Sequence, residues 1–164
     1  MSQRTRILIA IGLLIVLTAA VLGVEALRRA AAGRAEPELA PGSIPITLDG
    51  KLVAGFVPAD LERLTKVSFV EPVEGKTQDG WLLRDVILVY VDASKLKADS
   101  SISVSSSSRD KSATLTWSEV DNPANWVMFD LSNRGTLKLV SVLEQLDTRD
   151  EWVQDADRIE ISSP

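Results

Sequence analysis

Residues Ile7 to Val24, ILIAIGLLIVLTAAVLGV, form an uncharged and almost wholly apolar run of eighteen residues. As a helix rising 1.5 Å per residue, such a run reaches about 27 Å, close to the hydrocarbon thickness of a bilayer. Residues 1–27 are therefore expected to be an uncleaved, single-pass membrane anchor. A secretory signal has a shorter apolar core, about 7–15 residues. The rival reading is cleavage after Ala30-Ala31-Ala32, but Glu25, Arg28 and Arg29 lie between that small-residue run and the apolar core.

Arg4 and Arg6 flank one end of the run; Arg28, Arg29 and Arg34 flank the other. The positive-inside rule weighs the two ends nearly equally. A cytoplasmic N-terminus with an extracytoplasmic C-terminal domain is the orientation favoured, with support from the resemblance described below. Residues 28–43, rich in Ala, Pro, Gly and charge, read as a mobile linker. The folded part is expected over 44–164, long enough for one domain with its own core.

From Ile44 onward there are thirteen Lys and Arg against twenty Asp and Glu, a net charge of −7. An acidic domain is a poor partner for nucleic acid or an anionic lipid surface. The chain has no cysteine and no histidine. That removes disulfides, thiolate metal sites, cysteine nucleophiles, the commonest general base and the commonest transition-metal ligand. An oxygen-only calcium or magnesium site stays open. No cofactor is expected.

Gly75-Lys76-Thr77 carries the last three letters of a phosphate loop. The first glycine of G-x-x-x-x-G-K-[ST] would fall at Val70; Pro72 has no N–H to donate, and Glu71 and Glu74 would repel the anion. The stretch Glu74–Gly80 is expected to be a polar turn. Asp147, Asp150, Glu151, Asp155 and Asp157 lack the D-x-D-x-D-G spacing of a calcium loop and read as a solvated acidic loop. Ser105–Ser108 with Lys111 lacks the S-x-x-K spacing of serine–lysine catalysis.

Alternation and turn chemistry place strands on IPITLDGKLV around Asp49-Gly50, on KVSFVEPV, and on SISVSS and KSATLTW around Ser107–Asp110. Further strands are expected on NWVMFDL and TLKLVSV around Ser132–Gly135, and on RIEI. PADLERL reads as a short helix opened by Pro58. WLLRDVILVYV fits a helical face but has the β-branched content of a strand. The fold class is α+β, mostly β. Core packing is the first expectation for Trp81, Trp117, Trp126 and Trp152. An exposed aromatic contact is the alternative, and Arg109 and Lys111 on a strand-connecting loop are candidate anion contacts.

Taken in order, the segments ITLDGKL, PADLERL, VSF…GKTQDGWLLRDVI, ISVSSSSRDKSATLTWSEV, NWVMFDLSNRGTLKLVS and EWVQDADRIEI resemble the oxidoreductase molybdopterin-binding domain of the sulfite oxidase type. The likeness covers Ile44 to Ile161 and rests on order and spacing. Gly80-Trp81, Leu83 and Asp85 match the family's W-x-G-x-x-L-x-D segment without its second glycine; Trp152 and Ile159 match its closing segment. The resemblance implies a sulfite-oxidase-type fold behind one transmembrane helix, a helical LLRDVI and an extracytoplasmic location. It does not carry over the activity, because the family's molybdenum-binding cysteine, after the strand matching KVSFV, is missing. The expectation is a noncatalytic membrane-anchored module that contacts a protein partner, as accessory subunit or assembly partner of a membrane complex. The alternative is an extracytoplasmic small-molecule or ion sensor using a vestigial cleft, with Trp81, Arg109 and Lys111 as contacts. An enzyme would have to run on paired carboxylates, which nothing in the sequence pairs.

Overall fold

The computed structural model describes residues 38–164, together with Thr18, Val21, Gly23 and Val24. The chain divides into two compact units, Met1–Glu36 and Pro37–Pro164. In the first, the four described residues are α-helical and Val21 and Val24 are exposed. The remaining residues of the expected anchor, and the linker up to residue 37, lie outside the described residues. Among the described residues no helix is long and apolar enough to cross a membrane. The end of the expected linker belongs to the second unit: Leu39 lies over Gly55, where a Cβ would meet its Cδ2 at 2.4 Å.

The second unit is mostly β, built as two five-stranded sheets with short helices. One sheet has the order β2-β1-β10-β5-β6, from β1 (Ile44–Leu48), β2 (Lys51–Phe56), β5 (Ser101–Ser106), β6 (Lys111–Thr116) and β10 (Arg158–Ser162). The other has the order β3-β4-β7-β8-β9, from β3 (Val67–Val70), β4 (Thr77–Leu82), β7 (Met128–Leu131), β8 (Leu137–Val140) and β9 (Val153–Ala156). Every pairing is antiparallel except β1 with β10, where Ile46 stands opposite Ile159. β9 packs against β5 and β6, where the two sheets meet.

The inner faces follow from alternation. In β5, Ile102 and Val104 are buried while Ser101, Ser103 and Ser105 are only partly so, and in β10 Ile159 and Ile161 are buried between exposed neighbours. Period-2 side-chain direction puts these residues on one face. Facing them are Trp81, Phe129, Leu137, Leu139 and Val153 from the other sheet, in one shared core. The β1–β2 hairpin turns on Asp49 (φ +51°) and Gly50 (φ +73°), the two left-handed residues of a two-residue turn.

WLLRDVILVYV splits between both periodicities. Trp81 and Leu82 end β4, and Leu83–Tyr90 form helix α1, burying Leu83, Val86 and Ile87. Spacing of three and four residues puts that trio on one side of the helix, which outweighs the β-branched content. PADLERL forms a 3-10 helix, Pro58–Arg63, with Leu61 buried. Trp117 does not end a strand. It opens helix α2 (Trp117–Asp121), because Thr116 and Glu119 form a reciprocal capping box: the Thr116 amide donates to Glu119 Oε2 at 2.7 Å, and the Glu119 amide donates to Thr116 Oγ1 at 3.3 Å. Trp126 precedes β7 in a left-handed conformation (φ +48°).

The polar turn expected at Glu74–Gly80 lies earlier. Thr77–Gly80 belong to β4, and the turn occupies the residues between β3 and β4, 71–76. Glu71 sets it. Its carboxylate accepts from the Val73 amide at 2.6 Å and from the Glu74 amide at 2.8 and 2.9 Å. An acidic side chain thus fills the nest of amides where a phosphate loop would need an anion. The expected acidic loop also needs correction: Asp155 lies inside β9, a strand hidden by its polar composition.

Candidate functional site

Strand β4 presents Gln78, Gly80 and Leu82 on its outer face. The register places Phe69 opposite Gln78, Asp130 opposite Gly80, and Lys138 opposite both Asp130 and Gln154. The outer face of this sheet is therefore divided. One part is apolar, a second cluster of Phe69, Met128, Val140 and Trp152, with Trp126 stacked on Phe69 at 5.9 Å between ring centroids. The other part is polar and centres on Lys138.

Lys138 Nζ donates to Gln78 Oε1 at 2.9 Å, pairs with Asp130 Oδ2 at 2.8 Å, and lies 4.5 Å from the Trp152 ring centroid. Both members of the ion pair are less than a fifth exposed. Trp152 is fixed in turn by its indole N–H, which donates to the Leu146 carbonyl at 3.0 Å. A lysine only donates, so Gln78 must turn its oxygen to Lys138 and its NH2 group away. Gln78 is 4% exposed, and its amide nitrogen has no hydrogen-bond partner among the described residues.

Gln78 lines an open cavity of about 400 Å³ between the β3–β4 hairpin and the β7–β8 turn. Glu74 and Lys76, paired at 2.6 Å, form one rim and Ser132 and Asn133 another. Lys76 bonds to and charges against Glu74, and holds its carboxyl below the usual range. Arg149 reaches the same cavity; its charge is felt at Glu74, but it makes no hydrogen bond or close ion pair among the described residues.

A second cavity, about 220 Å³, shares Arg149, Trp152 and Gln154 with the first and adds Arg109, Lys111 and Asp150. The two together form a groove along β9. Its lining holds five cations, Lys76, Lys138, Arg149, Arg109 and Lys111, against the carboxylates Glu74, Asp130 and Asp150. That is a local positive excess in an acidic domain.

Of the candidates read from the sequence, Arg109 and Lys111 come together here. Lys111 Nζ donates to the Asp150 carbonyl and to none of the serines. Arg109 Nε donates to Asp155 Oδ2 at 2.8 Å. Trp81 is elsewhere: it is 1% exposed in the main core, with Lys66 Nζ 4.9 Å from its ring centroid, and offers no surface to a ligand. Its indole N–H has no partner among the described residues.

Asp155 fixes the wall of the groove. It is the extra residue where Leu137 pairs with Ala156 but Lys138 with Gln154, and it adopts φ +56°. A one-residue bulge with a left-handed residue turns its side chain aside from the strand. There it accepts from Thr136 Oγ1 at 2.7 Å, from Arg109, and from Arg134 Nη2 at 2.9 and 3.0 Å. The Thr136 hydroxyl, then Arg109 and the arginine charges, hold its carboxyl below the usual range. The other C-terminal acids diverge. Glu151 accepts from the Thr148 amide, Asp157 from the Ser107 amide and hydroxyl, and partial desolvation and the Glu151 charge raise Asp147. Among the described residues no three Asp or Glu converge on a metal position.

Sequence reasoning did not find Gln78, Lys138, Arg149 or Trp152 as one site. Alternation could assign Gln78 and Lys138 to strand faces, but only the pairing register, and the path of the β8–β9 connection that carries Arg149 and Trp152, brings the four side by side. No protein-family model matches the chain, and no curated protein matches it.

Proposed function

We infer that this chain is a noncatalytic, membrane-tethered binding module whose folded part docks another protein on the β3–β4 side of its second sheet. The observation that carries this reading is the hairpin itself. Val70 and Val73 are 62% and 66% exposed at its tip, beside the groove, while the Glu71 carboxylate holds the loop from within. A rigid, exposed apolar tip rimmed by paired charges has the composition of a protein interface. A small-molecule site is more enclosed and more apolar.

The finer assignment, a relative of the sulfite oxidase type held outside the cytoplasm on the Ile7–Val24 helix, is supported by the order of its sequence segments. Leu83–Tyr90 is helical as that resemblance implies. At the end of the strand after which the family places its metal-binding cysteine stands Glu71, whose carboxylate is bound to its own loop.

The test is photo-crosslinking of the full-length chain in its native membranes. A crosslinker is placed at Val73 or, as a control, at Lys51 on the exposed β1–β2 hairpin. The expected result is one discrete adduct from Val73 and none from Lys51, with neither molybdenum nor pterin in the purified protein. No adduct from Val73, or molybdenum and pterin near one per chain, overturns the reading.

A further inference from the structure

We propose that the groove along β9 receives an acidic, extended segment of that partner, one carboxylate bound by Arg149 and the Gln78 amide and a second by Arg109 and Lys111. The proposal rests on the protein-docking reading above and names the chemistry of the partner.

Three observations support it. Gln78 lines the cavity with its oxygen committed to Lys138, so its NH2 group, which has no partner among the described residues, is the end left to donate to a ligand oxygen. Arg149 is exposed and makes no close ion pair, so its guanidinium is available for a two-pronged contact with a carboxylate. Lys76 and Lys138 are each already matched to a carboxylate, and Arg109 is paired with Asp155 through Nε, which leaves only its Nη groups for a ligand. The third observation is shape. The two cavities join at Arg149, Trp152 and Gln154, with cations in both lobes. A single small acid would fill one lobe; a chain with two acidic side chains reaches both. In a strand, residues two apart point the same way and lie about 7 Å apart.

The surroundings set the specificity. Glu74, Asp130 and Asp150 also face the groove, and the domain as a whole is acidic. A diffuse polyanion is therefore repelled, and only carboxylates placed at the two cationic positions gain. Trp152, covered by Lys138, forms the floor where the two cavities join, and the Gln154 side chain is an acceptor for a peptide amide.

The experiment uses the full-length chain purified in mild detergent. It is titrated calorimetrically with Ac-Gly-Glu-Ala-Glu-Gly-NH2, with the Gln-for-Glu peptide, and with free succinate. Expected is saturable binding of the acidic peptide alone, weakened about tenfold or more by Arg149→Gln and by added salt. Arg158→Gln, on the other sheet, leaves it unchanged. Gln78→Met is expected to weaken binding too; because Arg149 is exposed, Arg149→Gln keeps the test decisive even where the Gln78 variant misfolds. Succinate binding as tightly as the peptide overturns the peptide occupant in favour of a free dicarboxylate. No binding of either, or binding indifferent to Arg149→Gln, overturns the site. If the Val73 crosslink persists while the acidic peptide fails to bind, this inference falls and the docking reading stands. If the crosslink is also lost, both fall.

Discussion

Replacing Asp155 separates the two things that hold β9 in place, its hydrogen bonds and its backbone conformation. Asp155→Ala removes the Thr136 bond at 2.7 Å and both arginine contacts. The Thr136 bond, to an ionised acceptor that is 16% exposed, is worth about 1–2 kcal/mol. The arginines are 44% and 59% exposed, so after solvent screening they add about 1 kcal/mol together. Alanine at φ +56° adds about 1 kcal/mol of strain that Asp and Asn partly escape. The expected loss for Asp155→Ala is about 3 kcal/mol; Asp155→Asn keeps the left-handed tolerance and one acceptor and loses about 1 kcal/mol. Urea unfolding of the full-length chain measures both, with an unchanged slope showing that only stability moved. A gap between Ala and Asn below about 0.5 kcal/mol refutes the strain and Thr136 assignments. The same pair makes a pH prediction. The folded carboxyl titrates below its unfolded value of about 3.9, so its contribution is fully present above that value and is lost as pH falls through the folded one. The difference between the native chain and Asp155→Asn should therefore persist at neutral pH and close below about pH 4.

Gly80→Ala places a Cβ 1.8 Å from the Phe129 carbonyl oxygen, where β4 meets β7; the obstacle is backbone, so a loss above about 4 kcal/mol is expected, read as a collapsed circular-dichroism melt. Glu71→Ala frees the Val73 and Glu74 amides, and hydrogen exchange should rise there well before it rises in β5 or β10. Glu119→Ala breaks the box at α2 and should cost about 1 kcal/mol in the urea midpoint, with the Val73 crosslink unchanged.

Much of the second unit was legible because its hairpins are local. Asp49-Gly50, Ser107–Asp110 and Ser132–Gly135 each sit between strands whose apolar residues alternate, and each turns where its composition says. The Thr116–Glu119 box was not read: KSATLTW was expected to stay a strand through Trp117, although T-x-x-E is a local helix-start pattern. β9 was not legible. Its sequence VQDA has neither alternation nor β-branched content beyond Val153, and Asp155 breaks its pleat. It is a strand because Leu139 and Lys138 pair with it from β8.

The residue string alone determined that no thiolate or imidazole chemistry is open to this chain, that Gly75-Lys76-Thr77 is not a phosphate cradle, and that the domain is acidic and mostly β. These depend on residue identity or on neighbours a few positions apart. The tertiary structure decided that the last strand, β10, lies between β1 and β5, that Trp81 is interior, and that Gln78, Asp130, Lys138 and Arg149 share one groove. Those facts depend on which strands pair and in which register. A one-residue slip in any of those strands would carry its side chains to the opposite face, and no pattern within a single strand specifies its neighbour.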